Sequence, residues 1–354
     1  MTFSIFSIYV LALYFFTLCT VFVARFVNIK IGNVLAVAAA VTSFGMAAFR
    51  PEHFPDVETY EMMFEFASSG DFNNPVYWIG HGEPGFKILS YSMFLYGFDF
   101  TDLLILMAAT SCLLLFYISR ISGVPFAYLW FAYFSFYFIT RDMGVIRLAI
   151  ASHLIVIFFL QRAVIWQVVT LTIAALTFQY YAVVAVLAKL LSRIKIDWLP
   201  ISLLFLISFL SASFISFENL KFLIPETQII EYEGTVQVEA GGQFILVPVV
   251  RNLFLAFFLY FLLKNETRFQ QKRLWIWAAF LSASFYIMAS DILLVAQRFS
   301  AYFGAVVPLA MAFLMVRRST RNDNFFLVVL VCLLNFALLF YYNDFIRQTE
   351  FIIR

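Results

Sequence analysis

Twelve apolar stretches, each closed by charged or turn-forming residues, set the pattern of the chain. They run over about 3–24, 31–49, 102–119, 125–140, 144–161, 163–178, 179–191, 198–216, 244–263, 274–290, 293–316 and 325–342. A helix needs roughly 20 residues to cross the hydrocarbon core of a bilayer. The stretch 163–191 is too long for one ordinary crossing and too short for two. It predicts two short helices that meet near Gln179 and Tyr180, stop short and line a cavity. The pattern as a whole predicts an all-α, polytopic integral membrane protein, with about twelve membrane-embedded helices (about 10–13) in a single transmembrane domain over 1–354. The first stretch lacks a basic leader and a small-residue cleavage site, so it reads as a retained helix.

Two hydrophilic segments interrupt the pattern. The first, 50–99, contains PEHFPDVETYEMMFEF, then a Gly/Asn/Pro-rich part, then GHGEPGFKILSYSMFLYGF. Phe86 to Phe98 is too short to span and reads as an amphipathic or interfacial helix. The second, 217–243, carries Glu218, Glu226, Glu231, Glu233 and Glu239 and ends in Gly241-Gly242. It is a solvated loop or a mobile lid.

Composition supports the membrane reading. The 354 residues are 64% hydrophobic and 12% charged, against about 25% charged in soluble domains. Net charge is +2, which gives no reason to expect a nucleic-acid partner. Cys19, Cys112 and Cys332 lie inside apolar runs without CxxC spacing and read as structural thiols. No HExxH, Walker or Rossmann fingerprint occurs, so neither a metal nor a nucleotide cofactor is expected.

Charge then orients the chain. With Arg25 and Lys30 in the cytoplasm, alternation places 14 of the 23 basic residues on that side and only three of the 21 acidic ones. The Lys/Arg bias is what the positive-inside rule uses. It puts both hydrophilic segments outside.

Several outward arginines sit where charge is costly. Arg50 ends the second stretch, Arg141 and Arg147 flank the start of the fifth, and Arg251 and Arg298 lie inside later apolar runs. Each can snorkel to lipid headgroups or pair structurally. Five on one side, beside acidic loops, also suit a shared anion site, since arginine's planar fork donates two hydrogen bonds to phosphate oxygens and stays charged. Asp56, Glu83 and Asp291 on the same side are candidates for activating a hydroxyl as general base. Asp291 and Arg298 are equally readable as a salt bridge, Asp142 beside Arg141 as a local pair, and Asp56 as the cap of a helix. His81, in a Gly-rich turn, joins the substrate-binding candidates, although a lone histidine there is more often incidental. Tyr60, Tyr180 and Tyr302 complete the substrate-binding candidates, and Tyr60, Tyr77, Trp78 and Tyr302 present aromatic faces suited to stacking on sugar rings.

Four segments together resemble the EpsG-like family of Wzy-type polysaccharide polymerases. They are GMAAFRPEHFPDVETYEMMF with Arg50, Asp56 and Tyr60; Glu83-Pro84-Gly85-Phe86; GVIRLAIASH with Arg147; and AQRFSAYF with Arg298 and Tyr302. The chain departs from that family where Leu148 follows Arg147, where Pro55 precedes Asp56, and where Gln179 stands in place of a histidine. The resemblance implies a bacterial inner-membrane glycosyltransferase, GT-C-like in general character, with its site facing the periplasm or cell exterior. Such an enzyme polymerises undecaprenyl-pyrophosphate-linked oligosaccharide repeats into O-antigen, capsule or exopolysaccharide without metal or cofactor. Membrane lipid and a separate chain-length co-polymerase would be its partners. The rival readings are a transporter or flippase of an anionic or lipid-linked substrate, and an O-antigen ligase.

Overall fold

The computed structural model describes residues 5–50, 54, 56–70, 83–212, 214, 246–264, 266, 271–289, 293–316 and 323–342. Every regular element among them is helical. The helices are α1 (Ile5–Phe22, continued by a wide π turn, Val23–Val27), α2 (Ile29–Ala48), α3 (Val57–Ser68), α4 (Pro84–Leu95) and α5 (Phe100–Ser122). Next come α6 (Phe126–Tyr133, a π turn Phe134–Phe138, then Ile139–Arg141), α7 (Ile146–Leu160), α8 (Val164–Phe178) and α9 (Tyr180–Leu191). Last are α10 (Trp198–Ala212), α11 (Leu246–Leu263), α12 (Lys272–Met288), α13 (Leu293–Gly304), α14 (Val307–Val316) and α15 (Asp323–Tyr342). Each of the twelve apolar stretches therefore carries a helix. Among the described residues, six segments are long and apolar enough to cross a membrane: Phe6–Val27, Ile29–Ala48, Phe100–Ser122, Leu246–Leu263, Val295–Val316 and Asn324–Tyr341. The expected break in 163–191 falls at Gln179, whose extended backbone (φ −162°) separates α8 from α9.

The surface of these helices is apolar too. Val34 is 69% exposed, Leu113 68% and Leu199 71%, large side chains that water would penalise and lipid would not. The chain divides into two compact units, Met1–Tyr180 with Pro308–Arg354, and Tyr181–Val307.

In the first unit α6 and α7 are buried nearly all round, as helices without a polar face should be. Trp130, Phe131, Phe134 and Phe136 of α6 are fully buried. Tyr14 of α1 stacks on Phe336 of α15 at 3.5 Å and shares a hydrogen bond with Ser135 at 3.0 Å. Asn335 donates to the Ser135 carbonyl within the π turn, at 2.7 Å. Gly32 lets α2 pass close to α1, because an added Cβ would stand 2.6 Å from the Ala24 Cα. In the second unit α12 is the buried helix, packed against α9, α10, α11 and α13.

Candidate functional site

Within the first unit the polar residues form two clusters. The outer one is built on α3 and α4. The segment VETYEMMFEFAS folds as an amphipathic helix, with Val57, Tyr60, Met63, Phe64 and Ala67 buried and Glu58, Glu61 and Glu65 exposed. It packs on α4, whose Pro84 occupies the first turn, where proline's missing N–H costs nothing. Gly85 brings α4 against the end of α8: a Cβ there would lie 2.8 Å from the Thr177 Cα.

This packing places Glu83 beside Arg147, at the start of α7. The two form an ion pair, Arg147 Nη1 donating to Glu83 Oε2, with both side chains buried. The Arg147 guanidinium lies 5.2 Å from the Tyr60 ring centre and 5.1 Å from that of Phe86. Arg50, 5% exposed, donates from Nη1 to the carbonyl of Asp142 at 2.7 Å. Tyr60 and Asp56 lie within electrostatic range of both guanidiniums. Tyr180, half exposed, lies within range of Glu83 and Arg147.

Four donor atoms in this cluster are buried and find no hydrogen-bond partner among the described residues: Arg50 Nε and Nη2, Arg147 Nε and the Tyr60 hydroxyl. Burial, the largest influence, raises the Tyr60 phenol above its ordinary range despite the two arginines, so Tyr60 stays a neutral donor. Buried donors on two cations normally carry acceptors. As a group they suit an anion with several oxygens.

The structure also decides between readings of the carboxylates. Asp56 occupies the N-cap position of α3 and makes no side-chain capping hydrogen bond. Its backbone is left-handed (φ 66°), which costs a residue with a Cβ roughly 1–2 kcal/mol, although Asp and Asn bear it best. The cap reading therefore fails to explain it. Asp56 is exposed while Tyr60, one turn on, is buried, so the two do not present a common face. Glu83 also sits at an N-cap position without capping, and its carboxylate faces Arg147 instead. A carboxylate so paired is a poor proton acceptor.

Lys87 on α4 escaped the sequence reading. It is 1% exposed, with its ammonium 5.9 Å from the Phe66 ring centre. Desolvation lowers its proton affinity, and Glu83 one turn away opposes this. A lysine inside an apolar run was the available signal.

The second cluster lies deeper. Asp142, 0% exposed, is not simply the neighbour of Arg141. Its carboxylate accepts from Ser111 Oγ on α5 and from the Tyr133 hydroxyl on α6. Ser111 in turn lies 3.0 Å from His153 Nε2 on α7. Ser111 directs its one proton to Asp142, so the histidine Nε2–H is the donor to it. Arg141 stacks on Tyr137, 3.4 Å from the ring centre. The Asp142 residue thus joins the clusters: its side chain anchors the inner one, and its carbonyl holds Arg50 of the outer one. A mostly apolar cavity of about 570 Å³, lined by Asn33, Phe116, Arg120 and Phe126 among others, contains none of the candidate residues.

Arg251, Arg298 and Tyr302 belong to the second unit. Asn252 Nδ2 donates to Ser300 Oγ at 3.4 Å, and Ser282 bonds the same hydroxyl at 2.7 Å, tying α11, α12 and α13 together next to both arginines in sequence. Arg251 and Arg298 are half-buried, Arg251 Nε has no partner among the described residues, and Tyr302 is fully buried. His81 and Asp291, and with Asp291 its suggested bridge to Arg298, lie outside the described residues.

An all-helical membrane protein with lipid-compatible outer faces and an arginine cluster beside an amphipathic helix is the class these features define. The chain belongs to the EpsG family, whose model matches residues 33–352. No curated protein and no solved structure is similar enough to this chain to be matched to it.

Proposed function

We propose that this protein is a membrane-embedded glycosyltransferase that joins lipid-linked oligosaccharide repeat units into a surface polysaccharide, with undecaprenyl pyrophosphate as the leaving group. Family membership supports a polymerase-like role. One structural observation carries the chemistry: the buried, unmatched donors of Arg50, Arg147 and Tyr60 beside two carboxylates. In this reading those donors hold the donor pyrophosphate. An acceptor hydroxyl oxygen attacks the anomeric carbon of the donor sugar, and the bond from that carbon to the phosphate oxygen breaks. The hydroxyl proton passes to Asp56, and the leaving pyrophosphate keeps the electron pair, its charge held by the two arginines. Glu83 orients Arg147 and is not the base. Tyr180, within range of Glu83 and Arg147, is assigned to sugar contacts. The reading includes about twelve membrane-embedded helices of GT-C-like character, a site facing the periplasm or cell exterior, no metal or cofactor, and a chain-length co-polymerase as partner.

The test is direct. Purified protein incubated with lipid-linked repeat units should give a ladder of products and release undecaprenyl pyrophosphate. Transfer of a single unit to a core acceptor, with no ladder, would make the protein a ligase. The helix break at Gln179 would also suit a transporter. Vesicle translocation of the lipid-linked unit without any ladder would establish that reading and remove the polymerase.

A further inference from the structure

The second unit holds a cavity of about 220 Å³ unrelated to the cluster described above, lined by Lys195, Asp197, Tyr260, Lys264, Lys272 and Arg273 together with Ile196 and Ile276. Four cations face a single carboxylate. Glu266, in the same connection between α11 and α12, does not line the cavity. Two of the cations are held in place. Lys272 Nζ donates to the Lys264 carbonyl at 3.0 Å, and Lys264 Nζ lies 5.3 Å from the Tyr260 ring centre. The opposite wall, the turn 192–197, is fixed by Trp277, whose indole N–H donates to the Ile194 carbonyl at 3.2 Å. Like charges gathered in one concavity repel unless an anion joins them.

We propose that this cavity binds a phosphate group, specifically the headgroup of an anionic membrane lipid. Four observations identify the occupant. The volume suits a phosphate headgroup with a few waters, at about 30 Å³ per water. Trp198, 56% exposed and 5.7 Å from Tyr260, is an aromatic of the kind that sits at a membrane interface. Beside it, α10 exposes Leu199, Leu203, Leu206 and Leu210, an apolar face against which acyl chains can lie. The charge bias assigns these same cations to the cytoplasmic side, where anionic headgroups attract basic segments.

The experiment titrates phosphatidylglycerol into the purified wild-type protein held in phosphatidylcholine nanodiscs. Thermal stability and retained lipid by native mass spectrometry are followed, with inorganic phosphate as a parallel arm. Phosphatidylglycerol should raise the unfolding temperature and be retained. The double variant Lys264→Gln/Arg273→Gln should bind it more than tenfold more weakly, at about fivefold per cation. Asp197→Asn, which removes the opposing charge, should bind it more tightly. No stabilisation of the wild type by phosphatidylglycerol would overturn the site, as would wild-type retention by the double variant. Equal stabilisation by inorganic phosphate would overturn the lipid assignment in favour of free phosphate.

Discussion

The two polar clusters of the first unit are built from similar residues and differ in what they leave unmatched. In the inner cluster Ser111, Tyr133, Asp142 and His153 each have a partner within the group. In the outer cluster Arg50, Tyr60 and Arg147 are as buried, yet four of their donor atoms face no acceptor among the described residues. A network whose members are matched stabilises and fixes geometry; an arrangement of buried, unmatched donors costs stability until a ligand fills it. The inner cluster thus reads as the frame and the outer as the site. The carbonyl of Asp142 transmits position from one to the other.

This contrast can be broken by substitution. The largest effect is expected at the base. Asp56→Asn tolerates the left-handed backbone and removes the proton acceptor, so polymer yield should fall roughly 10²–10⁴-fold while donor lipid still binds. Normal polymerisation by this variant would remove Asp56 from the chemistry, and loss in Glu83→Gln alone would move the role to Glu83.

Next come the arginines. Arg50→Lys and Arg147→Lys keep the charge and lose the fork, and turnover should fall roughly 10²-fold with little change in unfolding temperature. Full activity in both would mean that these residues serve structure alone.

The inner cluster should respond in the opposite sense. Ser111→Ala leaves Asp142 and His153 short of a partner and should lower stability by about 1–3 kcal/mol. Activity per folded molecule, from polymer yield normalised to the folded fraction, should change less than in the arginine variants. If activity collapses while stability holds, the division into frame and site is mistaken.

The smallest effect is expected for Tyr60→Phe. It removes one neutral donor while keeping the ring against Arg147, so donor binding should weaken about fivefold, equivalent to about 1 kcal/mol. A titration of donor lipid monitored by tryptophan fluorescence would measure it.

Much of the fold was legible because each apolar stretch is a local property of the chain. The break at Gln179 followed from length alone, and the short helix expected over Phe86 to Phe98 forms as α4, Pro84–Leu95, ending in a turn at Tyr96 and Gly97. Pairings were not legible. Arg147 and Glu83 stand 64 residues apart and His153 and Ser111 42 apart, so only packing brings them together. Both members of the first pair were recognised as candidates without their partnership. Asp142 and Arg141 do interact electrostatically, but adjacency hid their main contacts: Arg141 meets Tyr137, and Asp142 meets Ser111 and Tyr133. Lys87 and His153 were passed over because burial, not residue type, makes them notable.

The π turn at Phe134–Phe138 has a consequence for length variation in α6. A π turn holds one residue more than the α-helical repeat allows, so it acts as an accommodated insertion. Removing one residue from it would leave a regular α-helix whose downstream residues keep the phase they have now. Asp142 would still face Ser111, and the carbonyl that holds Arg50 would stay with it. A deletion elsewhere in α6 has no wide turn to absorb it and would swing everything downstream by about 100° about the helix axis. Single-residue deletions within Phe134–Phe138 should therefore be tolerated better than deletions in Phe126–Tyr133.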